Sequence, residues 1–545
     1  MSLNTPSSEP RQSSASSQLT KDLSAGFLVS LIALPLSLGI AVASGFPASS
    51  GIIAAIVGGI VTSLIGGARL TIKGPAAGLI VIVLGAVTEL ADPSNPLSGI
   101  ERAAAVVVAA GFIQVLLGLF RCGVFAELMP GSVIHGMLAA IGIIVMGKQI
   151  HVVLGVTPVG KTPTQLWAEV GHSLTHLNPA IALIGITSLA VMILCAQYPL
   201  WILRKIPAVL IVMIIAIGFD IIFDLNHIHP YFLHGAEFPL GPQFLVKLPP
   251  SLTDAVFMPD WSHIFTPTSI KYIAFFAIVG SIESLLTVSA VNGMDPERKR
   301  ANPDRDLIAL GMGNVVSGML GGLPMISEIV RSKANVDAQA RSSVANITHG
   351  VLLLAYLGIL SPLLSLVPLS ALAGVLVYIG FRLASPKEFV HAWSTGKEQF
   401  FFFFITCFLT VSEDLLIGVA AGLICAILYV IFLGTKPTEL LSLPSEVEKK
   451  GDKLLVRLHS NAIFSNFVAF RKLVDSAGGD IKEVLVDYSR CGLVEHTFRD
   501  KLERLQAELG RVTISVTGLS GHHSLGTDPH ATKILRSASQ KSLSR

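Results

Sequence analysis

The chain has 545 residues, of which 52% are hydrophobic and only 14% charged, with a formal net charge of +3. A soluble protein carries about 25% charged residues, so most of this chain lies inside a membrane and its charge is gathered in loops and tails. The small net charge speaks against nucleic-acid binding, and the scattered Cys122, Cys195, Cys407, Cys425 and Cys491 show neither a disulfide framework nor a metal spacing.

Residues 1–20, rich in Ser, Pro and Gln, lack a basic stretch followed by a short apolar core. They read as a disordered tail, not as a cleaved signal peptide. Apolar segments long enough to span a bilayer (~20 residues each) then occupy residues 21–434, about fourteen in number and some of them short or broken. The first, Ala25 to Ser44, contains Pro35, Ser37 and Gly39; the second runs from Ser50 to Ile65.

The third is broken by Ile72-Lys73-Gly74-Pro75-Ala76-Ala77-Gly78. Gly74-Pro75 stops what precedes it, and Pro75 suits the first position of a new helix, where an N–H would be unpaired anyway. Ala76, Ala77 and Gly78 leave the first N–H groups of that helix open. A bare helix start with its positive dipole end is an anion site. Spans four and five cover Ala103 to Leu119 and Ser132 to Met146, and Lys148 to Pro179 reads as an irregular outer loop. Spans six and seven, Ala180 to Cys195 and Ile206 to Phe223, lead to a second irregular loop, Asp224 to Thr266.

The second half opens with Ser269 to Val291 and Leu307 to Leu320. Its third span is broken in turn, by Gly321-Gly322-Leu323-Pro324-Met325-Ile326-Ser327. Either break alone resembles an ordinary loop, but paired Gly/Pro interruptions at corresponding places in two halves point to a transport site. Four further spans follow, Ile347 to Leu360, Leu366 to Ile379, Phe400 to Leu409 and Leu415 to Leu433. Seven spans per half would make the repeats inverted. With the N-terminus inside, Lys21, Arg69, Lys73, Arg121, Arg204, Lys205, Arg298 and Arg300 all fall on the cytoplasmic side, a positive-inside pattern that places both termini there. The expected location is the plasma (inner) membrane.

After Gly434 the pattern changes. Lys453 to Leu458, Lys482 to Asp487 and Arg511 to Thr517 read as strands and His496 to Leu509 as a helix, so residues 440–525 form a small α/β soluble domain. Residues 526–545 read as a disordered tail.

Glu283 is the sharpest chemical signal. It lies near the middle of the span Ser269 to Val291, where a lipid-facing carboxylate would cost at least ~2.5–3.5 kcal/mol. It must face a cavity, a partner or a proton. Gly280, Ser284 and Thr287 share its helix face. Glu283 with Thr287 offers hard oxygen ligands for Na⁺; the same carboxylate can instead carry a proton, or simply be hydrogen-bonded between helices. After the second break, Arg331 either supplies fixed positive charge to an anion or is neutralised by Glu328, three residues earlier. Glu328 itself would repel a bound anion unless protonated or paired. Lys73 reads equally as a snorkelling lysine or a ligand. His135 reads as a satisfied interhelical histidine before a titrating one, and His522-His523 as solvated tail residues. No nucleophile–base pair, phosphate loop or zinc spacing suggests an enzyme.

Several of these stretches carry a resemblance. Ala33-Leu-Pro-Leu-Ser-Leu-Gly-Ile-Ala41, Gly74-Pro75, Ser281-Ile-Glu-Ser-Leu-Leu-Thr287, Arg331-Ser-Lys-Ala-Asn335 and the strand end Asp487-Tyr-Ser489 are similar to the SulP family of anion transporters. The C-terminal domain resembles a STAS domain. The resemblance implies a mostly α membrane protein with a seven-plus-seven inverted repeat, split into core and gate domains that move elevator-fashion, commonly in a dimer. It implies that the STAS domain modulates transport and binds cytoplasmic partners. The anion, sulfate or bicarbonate, would sit between the starts of spans three and ten, against Pro75, Ala76, Ala77, Ser327, Glu328, Arg331 and Ser37. Glu283 and Thr287 look like the acidic and hydroxyl Na⁺ ligands of the family's bicarbonate branch, with Glu in place of Asp. Two departures stand out. Glu328 replaces a small or hydroxyl residue, and Glu495-His496-Thr497 replaces the phosphoacceptor loop of soluble STAS relatives, leaving only Thr497 as an acceptor. Transport coupled to Na⁺ or H⁺ is the expected activity. A nucleobase/H⁺ symporter of the same fold and a passive anion channel are the alternatives.

Overall fold

The computed structural model describes residues 15–535, except 96, 161, 199–206, 234–235, 298, 300, 414, 479 and 511. Residues 1–14 and 536–545 of the expected tails, and Arg204, Lys205, Arg298 and Arg300 of the charge pattern, lie outside the described residues.

The first half contains α1 (Ala15–Ala43), α2 (Ala48–Ile65), β1 (Ile72–Pro75), α3 (Ile80–Glu89), α4 (Ser98–Leu119), α5 (Gly131–Val153), α6 (Pro163–Thr175), α7 (Pro179–Gln197) and α8 (Ala208–Phe223). The hairpin β2 (His229–Leu233) and β3 (Ala236–Leu240) connects it to the second half. There follow α9 (Pro267–Met294), α10 (Pro303–Met319), β4 (Met325–Glu328), α11 (Ile329–Asp337), α12 (Val344–Ile359), α13 (Ser361–Leu364), α14 (Leu369–Leu383), α15 (Pro386–Thr395), α16 (Lys397–Ser412) and α17 (Leu415–Phe432). Among the described residues, seven helices are long and apolar enough to cross a membrane, and four further apolar helices are shorter.

Local chemistry sets several helix starts. Asn178, Thr266 and Asn302 are N-caps followed directly by proline, which fits the first helical position. Asn302 Oδ1 accepts from the backbone N–H groups of Asp304 (2.9 Å) and Arg305 (3.1 Å). Lys148 to Pro179 is not an irregular loop. α5 continues to Val153, and α6 opens on a capping box formed by Thr162 and Gln165. Its polarity reads as loop, but the Thr-x-x-Gln signature is that of a helix start.

The helices meet where side chains vanish. A Cβ added to Gly111 of α4 would stand 2.7 Å from Gly311 O of α10, and one added to Gly311 would stand 2.5 Å from Gly111 O. Gly142 of α5 and Gly380 of α14 meet in the same way, and Gly59 of α2 lies against the backbone of Gly350 of α12. In a bilayer, where hydrophobicity gives helices little reason to associate, such close approach supplies the packing energy.

Both breaks depart from expectation. Pro75 is not the first residue of a helix: Ile72–Pro75 is extended and pairs antiparallel with Met325–Glu328, in the register Ile72↔Glu328, Lys73↔Ser327, Gly74↔Ile326 and Pro75↔Met325. Ser327 and Glu328 likewise precede their helix. The reason is the solvent. An extended segment in hydrocarbon has unpaired backbone groups costing several kcal/mol each, and the nearest available partner is the other break.

The C-terminal part contains β5 (Ser445–Lys450), β6 (Lys453–Leu458), α18 (Phe467–Ser476), β7 (Glu483–Asp487), β8 (Leu493–Val494), α19 (His496–Leu509), β9 (Thr513–Thr517), β10 (His522–Ser524) and β11 (Lys533–Leu535). Its main sheet has the order β5-β6-β7-β9, with β6, β7 and β9 parallel. Leu454, Val456, Val484, Val486, Phe467, Phe470 and Phe498 form a separate apolar core beneath it. Residues 526–535 are not a tail, because β11 pairs with both β8 and β10. His522 likewise sits in a strand, its Nε2 2.8 Å from Cys491 O.

Candidate functional site

Polar side chains from four helices hold the β1–β4 ribbon. From α10, Asn314 receives the N–H of Met325 on Oδ1 (2.7 Å) and donates to the carbonyl of Met325 (3.2 Å) and to Gln114 Oε1 (2.7 Å). Ser317 Oγ donates to Leu323 O (2.8 Å). From α11, Ser332 Oγ accepts from Ile72 N (2.9 Å) and Asn335 donates to Leu70 O (3.0 Å). From α12, Asn346 donates to Arg69 O (3.2 Å) and Thr71 O (3.0 Å). From α9, Ser284 Oγ accepts from Ser327 N (3.1 Å) and donates to Ser327 Oγ (2.8 Å). The ribbon is thus an irregular backbone buried in protein, the condition under which a bilayer tolerates one.

Two helices start from this ribbon. After Pro75, Ala76 stays extended (φ −103, ψ 137) before the 3-10 turn Ala77–Leu79 leads into α3. Glu328 is the N-cap of α11. Neither start is capped by a side chain. Because the strands run antiparallel, the starts lie at opposite ends of the ribbon, roughly 10 Å apart at ~3.4 Å per residue.

Charged side chains reach back between them. Arg331, in the first turn of α11, is completely buried, and its Nη1 would stand 2.6 Å from a Cβ at Gly74. Its Nε, Nη1 and Nη2 have no hydrogen-bond partner among the described residues. Of the two readings of Arg331, neutralisation by Glu328 is therefore not realised as an ion pair; Glu328 Oε1 also lacks a partner. The Glu283 carboxylate, 8% exposed, lies against Gly78, with Oε1 unpartnered. Thr287, one turn on, is half-buried. Ser37 on α1 is fully buried with its Oγ unpartnered, and its carbonyl lies against Gly51 of α2.

Lys73 is neither a snorkelling side chain nor a ligand in this structure. Its Nζ lies 2.7 Å from Asp306 Oδ1, and both side chains are buried, 3% and 0% exposed. Asp306 Oδ1 also accepts from Ala68 N (3.0 Å), so the pair ties β1 to α10. His135 of α5 pairs with Glu388 of α15 at 3.0 Å, the satisfied interhelical contact expected of it, while remaining 43% exposed. Thr497 is not an open acceptor: it is 2% exposed and its Oγ1 accepts from Gly131 N, at the start of α5 (3.2 Å). Beside it Gln399 of α16 donates to Glu495 Oε1 (3.2 Å) and accepts from Ser132 Oγ (2.8 Å).

Sequence reasoning missed Asp306 and His349. Asp306 reads as one charge in a cytoplasmic loop cluster. His349, on α12, is fully buried with neither ring nitrogen partnered. A histidine in an apolar span, three residues after the polar Asn346, was the available signal.

Comparison with known proteins agrees with this architecture. A model of the sulfate permease family matches residues 19–406. The chain is 28% identical to YvdB of Bacillus subtilis over 414 residues, 75% of this chain and 73% of the relative. It is 25% identical to the bicarbonate transporter BicA of a Picosynechococcus species over 418 residues, 74% of this chain and 69% of BicA. The solved structure of SLC26A9 superposes with a TM-score of 0.67 at 16% identity, covering 93% of this chain and 85% of that one.

Proposed function

The chain belongs to the sulfate permease family, and from that premise we propose that it is a secondary active transporter of a small inorganic oxyanion, sulfate or bicarbonate. The observation that carries this reading is Arg331. A fully buried guanidinium without a hydrogen-bond partner costs several kcal/mol, which an anion in contact with it offsets. Gly74 and Gly78 let the Arg331 guanidinium and the Glu283 carboxylate approach the backbone beside Pro75, and the uncapped N–H groups at Ala77 and Gly78 add partial positive charge. Ser327 is already engaged by Ser284, so in this reading it shapes the pocket and the ligand contacts fall to Arg331 and the N–H groups.

Glu283 would be the coupling residue. With Glu283 or Glu328 ionised, an anion beside Arg331 would leave the site negative unless a cation or proton travelled with it. Glu283 and Thr287 offer oxygen ligands for Na⁺ as co-substrate, and Glu283 alone can carry a proton. The glycine contacts between α4 and α10, and between α2 and α12, support two inverted halves, and the buried ribbon supports a core that moves as one body against the other helices. The division of residues 21–434 as transporter and 440–525 as soluble domain, the dimer, the inner-membrane location and the cytoplasmic termini belong to the same proposal.

The test is radiolabelled uptake into proteoliposomes, sulfate and bicarbonate compared under Na⁺ and pH gradients, for wild type and Glu283→Gln. Gradient-driven accumulation that Glu283→Gln abolishes supports the coupling role; unchanged accumulation in the variant removes it. Competition by uracil would instead favour a nucleobase symporter, and current without any counter-ion gradient a channel.

A further inference from the structure

A second basic site lies far from the ribbon, where the soluble domain meets the membrane domain. A cavity of about 710 Å³ opens between the ends of α9 and α10, the 3-10 segment Cys122–Leu128, and α18 and α19. Its walls carry five basic side chains, Arg121, Arg471, Lys472, Lys501 and Arg504, against three acidic ones. Three of the five are engaged. Arg471 pairs with Glu508 (2.9 Å), Arg504 with Asp500 (2.9 Å), and Lys501 donates to Met129 O (3.3 Å) and Phe464 O (3.2 Å). The side chains of Arg121 and Lys472 have no hydrogen bond or ion pair among the described residues, and both residues are exposed. One comes from the membrane domain and one from the soluble domain, so the excess positive charge is shared across the junction.

What lies beside Arg121 identifies the occupant. Phe112, Leu116 and Leu119 of α4 share one helix face and are 56%, 49% and 61% exposed, and Phe120 is 76% exposed. This exposed apolar stripe ends at Arg121, where the chain turns through a left-handed conformation (φ 59) at the cavity wall. An apolar track that finishes at an uncompensated cation matches a lipid, acyl chain along α4 and headgroup at the junction. Free phosphate would use the charge and leave the track without a role.

We propose that this cavity binds the phosphodiester headgroup of an anionic phospholipid, with Arg121 and Lys472 as its counter-charges, and that the bound lipid bridges the two domains. Each basic residue near an anionic lipid surface contributes roughly fivefold in affinity.

The experiment uses the full chain in nanodiscs of phosphatidylcholine mixed with phosphatidylglycerol, with lipid retained after release read by native mass spectrometry. Wild type should retain phosphatidylglycerol over phosphatidylcholine. Arg121→Gln and Lys472→Gln should each lower that retention roughly fivefold, with thermal unfolding in pure phosphatidylcholine unchanged, since both side chains are exposed. A wild type without headgroup preference, or a double variant that retains as much phosphatidylglycerol as wild type, overturns the proposal. So does inorganic phosphate that displaces the lipid at matched concentration, which would mark a soluble-phosphate site.

Discussion

The carboxylate of Glu283 rests on Gly78: a Cβ there would stand 2.5 Å from Oε1 and 2.6 Å from Oε2. A mid-span acid is thereby fixed against the first turn leading into α3, where the anion is placed. Gly78→Ala forces that carboxylate away while changing the local fold little. Uptake in proteoliposomes should fall at least ~10-fold, and the thermal midpoint should stay close to wild type. Gly218→Ala is the control. Nothing lies within 4 Å of its added Cβ and the site is mid-helix, so removing a helical glycine should gain about 0.5–1 kcal/mol and leave uptake intact.

Lys73 and Asp306 form a buried ion pair, and its removal is asymmetric. Lys73→Met leaves an uncompensated buried carboxylate and should cost about 3–5 kcal/mol. Replacing both partners with apolar residues of similar volume should recover most of that loss. Thermal unfolding of the two single variants and the double variant checks this. Additive losses would mean that the pair does not hold β1 to α10.

At the junction of the domains, Thr497→Val removes the acceptor for Gly131 N–H, a half-buried donor at the start of α5. The expected cost is about 0.5–1.5 kcal/mol. It should show as faster amide exchange in residues 131–134, with exchange in the β6–β7 core unaffected. Because Thr497 is buried, the intact chain incubated with a threonine kinase should carry no phosphate there, whereas an unfolded C-terminal fragment can.

The extent to which this fold is legible in the sequence follows from the range of the interactions. Span positions, the alternation of β6 and the periodicity of α19 depend on neighbours three or four residues away, and the hydrophobic pattern carries them. The Gly-Pro breaks show that something irregular happens at 74–75 and 321–324. That they become two strands depends on partners about 250 residues apart, such as Ile72 and Glu328, which no local pattern contains. The same holds for Lys73: its charge is visible, but its partner Asp306 is 233 residues away. Glu283 and Arg331 were readable because a charge inside an apolar run needs an explanation wherever it sits. His349 needed the same reasoning applied to a neutral polar residue, whose cost in hydrocarbon is lower and whose signal is correspondingly fainter.

Arg331 bears most of the weight in assigning an anion to this pocket, so the most direct measurement is anion binding by the full-length protein with Arg331→Gln. Titration calorimetry with sulfate and with bicarbonate, on folded samples matched by thermal midpoint, reads it. A charge-assisted contact of about 1.5–3 kcal/mol predicts roughly 10- to 100-fold weaker binding in the variant. Equal affinity for wild type and Arg331→Gln would contradict the placement of the anion between Arg331 and the start of α3.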